Sequence, residues 1–176
     1  MSADTVQFVN DKRFAIEGGR LLDAQLYPQL AWCGRWVRVA SSGDNDGSDW
    51  LQRNAHIDVV LQVSEKASIT VEEKIVRRVY PAFAIELKAN HKMVGLDGWF
   101  YKTTADVLVF AFTRPDGGLE AHTMAMGALR AYLAPRMRDY PLKAVDNGIY
   151  TSTVLLLPVR ECRGFDRAYL LEPMAG

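Results

Sequence analysis

Three consecutive charged residues, Glu72-Glu73-Lys74, sit inside a run that otherwise reads as a β-strand, with Ile69-Thr70-Val71 before them and Ile75-Val76 after. Side chains alternate faces along a strand, so Glu72 and Lys74 point one way and Glu73 the other. A second β-rich run, His56-Ile57-Asp58-Val59-Val60-Leu61, carries a lone carboxylate. If the two strands are neighbours, Asp58, Glu72 and Lys74 meet at one spot. Glu86-Leu87-Lys88 repeats the Glu-x-Lys spacing at the end of another apolar strand. Consecutive strands usually pair, which makes Glu72 and Lys74 the simpler partners for Asp58 and leaves Glu86 as a supporting acid on the rim.

Two carboxylates sharing a small space favour a divalent cation between them, and oxygen-only ligands favour magnesium or manganese. A lysine beside the metal can orient or deprotonate a water, or offset charge on a phosphate. Such a set of parts suits hydrolysis of a phosphodiester. No Gly-x-Ser-x-Gly elbow, phosphate-binding Gly-x-x-x-x-Gly-Lys loop or Gly-x-Gly-x-x-Gly turn is present, so the chemistries those motifs carry have no support.

Charge and size limit the partners. The chain has 176 residues and a formal net charge of zero. That length suits one domain over 1–176 with a substantial core. Tight, non-specific nucleic-acid binders carry a basic excess. Contact with DNA or RNA must therefore use local patches: Arg77-Arg78, Lys88 with His91-Lys92, or Arg130, Arg136, Arg138 and Lys143. No apolar run approaches the ~20 residues of a membrane helix, and residues 1–10 do not read as a secretion signal. Cys33 and Cys162 show no metal-type spacing and read as reduced thiols of a cytoplasmic protein.

Along the chain, Phe14, Leu21, Leu22, Leu26 and Leu30 recur at roughly helical spacing, predicting a helix from about Lys12 to Leu30. Gly18-Gly19 marks its weak first half, and Pro28 kinks or ends it. Trp36 to Val39 reads as a short strand. Ser41 to Ser48 is a polar loop; Asp44, Asp46 and Gly47 resemble a fragment of a calcium loop that lacks the later bidentate Glu. Strands follow at Ala82 to Leu87 and Ala105 to Phe112, the latter apolar enough to be covered on both faces. Asp106 reads as a cap on the preceding loop. Pro115-Asp116-Gly117-Gly118 is a turn. Leu119 to Leu133 reads as a second helix and Thr151 to Val159 as the last strand. Of Trp99, Phe100 and Tyr101, at least one packs in the core while others can stack on bases. His56 reads as a structural residue at a strand entry. The expected class is α/β, a mixed central β-sheet flanked by helices.

Several segments together resemble a known family: Asp49 to Leu61, Val71-Glu72-Glu73-Lys74-Ile75, Phe83-Ala84-Ile85-Glu86, and Gly98-Trp99-Phe100-Tyr101-Lys102-Thr103-Thr104-Ala105-Asp106-Val107-Leu108. They are similar to phage and bacterial members of the PD-(D/E)xK nuclease superfamily, the restriction-endonuclease-like fold. The likeness covers about residues 12–112, with the helix and strand at 119–159 completing the fold. The proline that precedes the first acid in that superfamily is replaced here by Ile57.

The resemblance implies a metal-dependent hydrolase, an endonuclease or exonuclease acting on DNA or RNA with Mg²⁺ or Mn²⁺. It implies that Asp58 and Glu72 bind the metal with the main-chain carbonyl of Glu73, that Lys74 positions the attacking water, and that Glu17 of the first helix, with Asp23 behind it, adds to the metal site. Gln52, Arg53, Arg77, Lys88 and Lys102 are the expected nucleic-acid contacts. A homodimer suits an enzyme that cuts two strands. The same fold without catalysis, binding nucleic acid or protein, is the alternative.

Overall fold

The structure is a computed structural model and describes residues 14–30, 34–39, 55–90, 92, 95–146 and 150–173. Among the described residues, nine strands form two sheets. The larger has the order β1-β2-β3-β5-β6-β9, built from β1 (Arg35–Arg38), β2 (Val59–Ser64), β3 (Ala67–Val76), β5 (Val107–Thr113), β6 (Leu119–Ala125) and β9 (Asp166–Leu171). The smaller has the order β4-β8-β7, built from β4 (Ala82–Lys88), β8 (Thr151–Pro158) and β7 (Leu142–Asp146). All pairings are antiparallel except β3 with β5, which makes the large sheet mixed.

The two faces of the large sheet are covered differently. Residues 14–21 form α1, continued by a π turn, Leu22–Leu26, and a 3₁₀ turn, Tyr27–Gln29. Leu22, Leu26 and Tyr27 pack on Val59, Leu61, Val71, Val109 and Ala111. Gly18 and Gly19 lie buried inside α1 and do not mark its start. A Cβ on Gly18 would stand 2.7 Å from Ile75 Cδ1, so the missing side chain lets α1 approach β3 closely. Pro28 lies in the 3₁₀ turn, and Leu30 is already extended.

The opposite face meets the small sheet and α3 (Met126–Leu133), where the expectation was helices alone. Phe83 and Ile85 of β4, Leu155 and Leu157 of β8, and Leu129 and Leu133 of α3 pack on Leu108, Phe110 and Phe112 of β5. Strand β5 is buried over five consecutive residues, as its unbroken apolar sequence requires.

Two expectations are corrected. Leu119 to Ala125 is strand β6, not the first half of a helix. The turn at Pro115–Gly118 makes β5 and β6 a hairpin, which fixes their register from Val107–Ala125 to Thr113–Leu119. Thr151–Pro158 is not the last strand, because β9 pairs with β6 at the edge of the large sheet. Strand β7 is exposed along its whole length, so it shows no amphipathic pattern. The polar stretch at 41–48 lies outside the described residues, as does Cys33. Cys162 is a buried free thiol that burial, and then Asp166, push up to about 12.

A four-residue helix, α2 (Trp99–Lys102), joins the two layers. Its N-cap, Gly98, touches β4 so closely that a Cβ there would stand 2.6 Å from the Glu86 carbonyl carbon. Backbone does not yield as a side chain does. Gly98→Ala is therefore expected to lower stability by about 1–3 kcal/mol, measured by urea unfolding; an unchanged midpoint would contradict the close approach.

Candidate active site

Strand β3 carries its charged triplet as alternation demands. Val71, Glu73 and Ile75 face α1, and Glu72 and Lys74 face the small sheet. Glu73 is buried and accepts hydrogen bonds from Tyr27 Oη at 2.5 Å and Arg38 Nη1 at 2.6 Å. Arg38 also holds both oxygens of Asp23 and the Gly19 carbonyl. Burial pushes Glu73 up, against the hydrogen bonds from Arg38 and Tyr27. Burial likewise raises Tyr27 well above the usual phenol range, and Glu73 adds to it.

On the other face, Glu72 is only 1% exposed. Its Oε1 forms an ion pair with Lys74 Nζ and lies 3.9 Å from His56 Nδ1. Burial raises its carboxyl to about 7. Lys74 opposes that shift, and the nearby Asp58 adds to it. The Lys74 ammonium also lies 5.5 Å from the centre of the Trp99 ring.

Asp58 lies just before β2. Its N–H donates to the Val71 carbonyl, its carbonyl accepts from Val39 N–H, and its Oδ2 accepts from Glu73 N–H at 2.7 Å. The N–H and C=O of one strand residue point to the same side. The Glu73 carbonyl therefore turns to the edge where Asp58 stands. Asp58, Glu72, Lys74 and that carbonyl converge at the start of β2.

His56 borders this point with φ of 49°, the one non-glycine residue with positive φ among the described residues. Thr103 Oγ1 donates to its carbonyl at 2.9 Å. Burial, then Lys74 and Lys102, hold its imidazole below the usual range, while Asp58 and Glu86 pull it back. His56, read as a structural residue at a strand entry, also stands beside Glu72. Glu86 closes the rim from the small sheet: Oε1 accepts from Trp99 N–H at 3.3 Å and Oε2 from Ser152 Oγ at 2.9 Å. Trp99 and Phe100 are core residues, and Tyr101 is 50% exposed. Asp106 does more than cap a loop. Its Oδ2 accepts from the N–H and hydroxyl of Thr70, tying β3 to β5.

Other expected residues lie elsewhere. Glu17 is exposed on α1, which covers the Glu73 face, so the structure does not bring it to Glu72. The acid that this region supplies to the triplet is Asp23, through Arg38. Gln52 and Arg53 lie outside the described residues. Lys102 is exposed beside His56. Arg77 stacks on Phe14 at the far end of β3, 4.4 Å from the ring centre. Lys88 ends β4, bridged to Asp97. Arg130 is no surface cation, since it donates to the Phe100 and Thr103 carbonyls and holds α2 against α3.

Among the described residues, no three His, Cys, Asp or Glu side chains are grouped to hold a metal ion. Magnesium keeps several waters and needs only one or two carboxylates. The donor set of Asp58, Glu72 and the Glu73 carbonyl fits such a hydrated ion, because all three are hard oxygens and the two carboxylates repel one another in its absence. A comparison with protein-family models, curated protein sequences and solved structures finds no match to any of them.

Two outcomes follow. Arg38→Ala leaves a buried Glu73 without its cation and is expected to cost about 3–5 kcal/mol in chemical unfolding; a loss under 1 kcal/mol would show Glu73 to be solvated. Glu72 has a folded-state value near 7, above its unfolded value of 4.5. Its contribution to stability is therefore full below pH 4.5 and is lost as the pH rises through about 7. In metal-free protein the loss is about 3 kcal/mol. Glu72→Gln should remove this dependence, checked by urea unfolding at pH 4.5 and 8; parallel pH curves for the two proteins would contradict it.

Proposed function

We infer that the chain is a metal-dependent nuclease of restriction-endonuclease-like fold. The observation that carries this reading is the convergence of Asp58, just before β2, with Glu72 and Lys74 of the neighbouring β3 on one face of the large sheet. The sequence likeness to PD-(D/E)xK nucleases and the mixed sheet support it. Asp58, Glu72 and the Glu73 carbonyl would hold the ion. When bound, a divalent cation supplies a water of lowered pKa and neutralises charge on the scissile phosphate. Lys74 orients the attacking water and offsets the charge that builds on the phosphate oxygens. Trp99 and the buried wall behind Glu72 exclude bulk water from one flank, which strengthens each of these interactions. In this reading Lys102, exposed beside His56, takes a flanking phosphate.

One observation favours a second reading, the same fold acting as a binding module. No third acid joins the pair among the described residues, and Lys74 already satisfies Glu72. Incubation with plasmid, single-stranded DNA and RNA, with Mg²⁺ or Mn²⁺ and an EDTA control, separates the two. The nuclease reading expects metal-dependent cutting that falls by about 100-fold or more in Asp58→Ala, Glu72→Ala and Lys74→Ala, with circular dichroism unchanged. Binding without cutting supports the module, and three variants as active as the parent would end the assignment.

A further inference from the structure

The face of β3 that carries Glu72 and Lys74 continues to Val76. Two strand residues advance about 6.6 Å, so Val76 stands one short step from Lys74. Beside it opens a cavity of about 690 Å³, lined by Val76, Phe110 and Phe112 of the large sheet and by Ala84, Val154 and Leu156 of the small one. Phe110 and Phe112 are the register partners of Lys74 and Val76 on β5 and are buried. Ala84 shares a face of β4 with Glu86, the rim of the candidate site. The cavity therefore continues that site along both sheets. Its volume falls in the range of built ligand sites, roughly 300–1,000 Å³.

Cations gather at the rim. Arg77 and Lys143 line the cavity, and among the described residues no lining side chain is acidic. The Arg77 guanidinium lies 4.4 Å from the centre of the Phe14 ring. Arg78 lies 4.9 Å from the centre of the Tyr80 ring and donates from Nε to Tyr80 Oη at 2.5 Å. Phe14 and Tyr80 also line the cavity. Both guanidiniums are thus held on aromatic rings at its mouth. In the sequence Arg77-Arg78 and Lys143 are separate patches. The pairing of β4 with β8 and of β8 with β7 places Lys143 on the wall facing β3. A chain of zero net charge has here a local basic rim around an apolar, ring-lined hollow.

We propose that this cavity takes one unstacked base of a single-stranded nucleic acid, with the flanking phosphates on Arg77, Arg78 and Lys143 and the strand leading to Lys74. Apolar walls with aromatic rings accept a flat base of any identity. A base in a duplex is stacked and paired, and it enters such a hollow only if it is flipped out at a cost. The geometry therefore selects single strands. A fatty acid would suit the walls but has one anionic head, whereas the cations stand on opposite sides, Arg77 after β3 and Lys143 on β7. A nucleic-acid strand presents a phosphate on either side of each base. The inference rests on the reading that the ligand is a nucleic acid, and not on whether the chain cuts it.

Fluorescence anisotropy of the full chain in EDTA tests it with three labelled probes of one length: an oligothymidylate, the same backbone with every base removed, and the oligothymidylate paired with oligoadenylate. The oligothymidylate is expected to bind at least about tenfold more tightly than the abasic strand and the duplex, although charge alone favours the duplex. Ala84→Phe and Ala82→Phe, each placing a ring in the cavity from a partly exposed position, should bring the oligothymidylate down to the abasic level and melt no lower than the parent. Lys143→Ala should weaken both single strands alike, by about threefold. Arg167→Ala, an exposed cation on the edge strand β9, should bind as the parent does. The proposal is overturned if the abasic strand or the duplex binds as tightly as the oligothymidylate, if no probe saturates, or if a folded filling variant keeps the base preference. Cutting is assayed separately in Mg²⁺. Base-selective binding without cutting would end the nuclease assignment and keep this one, and cutting without base-selective binding would do the reverse.

Discussion

The burial of Glu73 is the constraint on which the rest of the architecture turns. A carboxylate inside a sheet must be matched by donors, and here they come from the Arg38 guanidinium and the Tyr27 hydroxyl. Arg38 is fixed in turn by Asp23 and the Gly19 carbonyl. Those contacts draw in β1, the end of α1 and the π turn, so one ionic cluster sets how the helical layer sits on β3. The period-two geometry of the strand then allows one outcome for the neighbours. With Glu73 held toward α1, Glu72 and Lys74 must face the other layer.

On that layer, several short links hold the site in place. Asp106 ties β3 to β5 through Thr70, and the N–H of Met126 at the start of α3 donates to the Asp106 carbonyl. Glu86 joins Trp99 to Ser152, which binds α2 to the small sheet. The Lys74 ammonium lies between the Glu72 carboxylate and the Trp99 ring. The site is thus a junction where both sheets and α2 meet, and water has little access to Glu72.

Much of this junction was legible in the sequence, for a physical reason. Alternation within β3 is a local rule, and the pairing of β2 with β3 needs only a short connection, so Asp58, Glu72 and Lys74 could be placed together without a structure. The apolar run of β5 and the turn at Pro115–Gly118 were readable on the same grounds. Leu119 to Ala125 misled because it runs without a break into Leu129, Tyr132 and Leu133, which do recur at helical spacing, and the hairpin partner that decides the matter lies on another segment. Strand β7 buries none of its residues and β9 only Tyr169 and Leu171, so neither displayed a pattern. The partners of Glu73 and the contact of His56 with Glu72 join distant segments, and nothing local announces them. Glu17 was carried over by resemblance alone, and the placement of α1 on the Glu73 face separates it from the site.

The central claim is that two carboxylates and a backbone carbonyl at the start of β2 form a seat for a hydrated divalent cation. A crystal of the protein soaked in Mn²⁺ tests it most directly, through the anomalous signal of the ion. The account predicts a single strong peak within about 2–2.5 Å of Asp58, Glu72 and the Glu73 carbonyl, with Lys74 turned from Glu72 toward a coordinated water. A crystal that shows Mn²⁺ elsewhere, or none while Lys74 stays on Glu72, would contradict it.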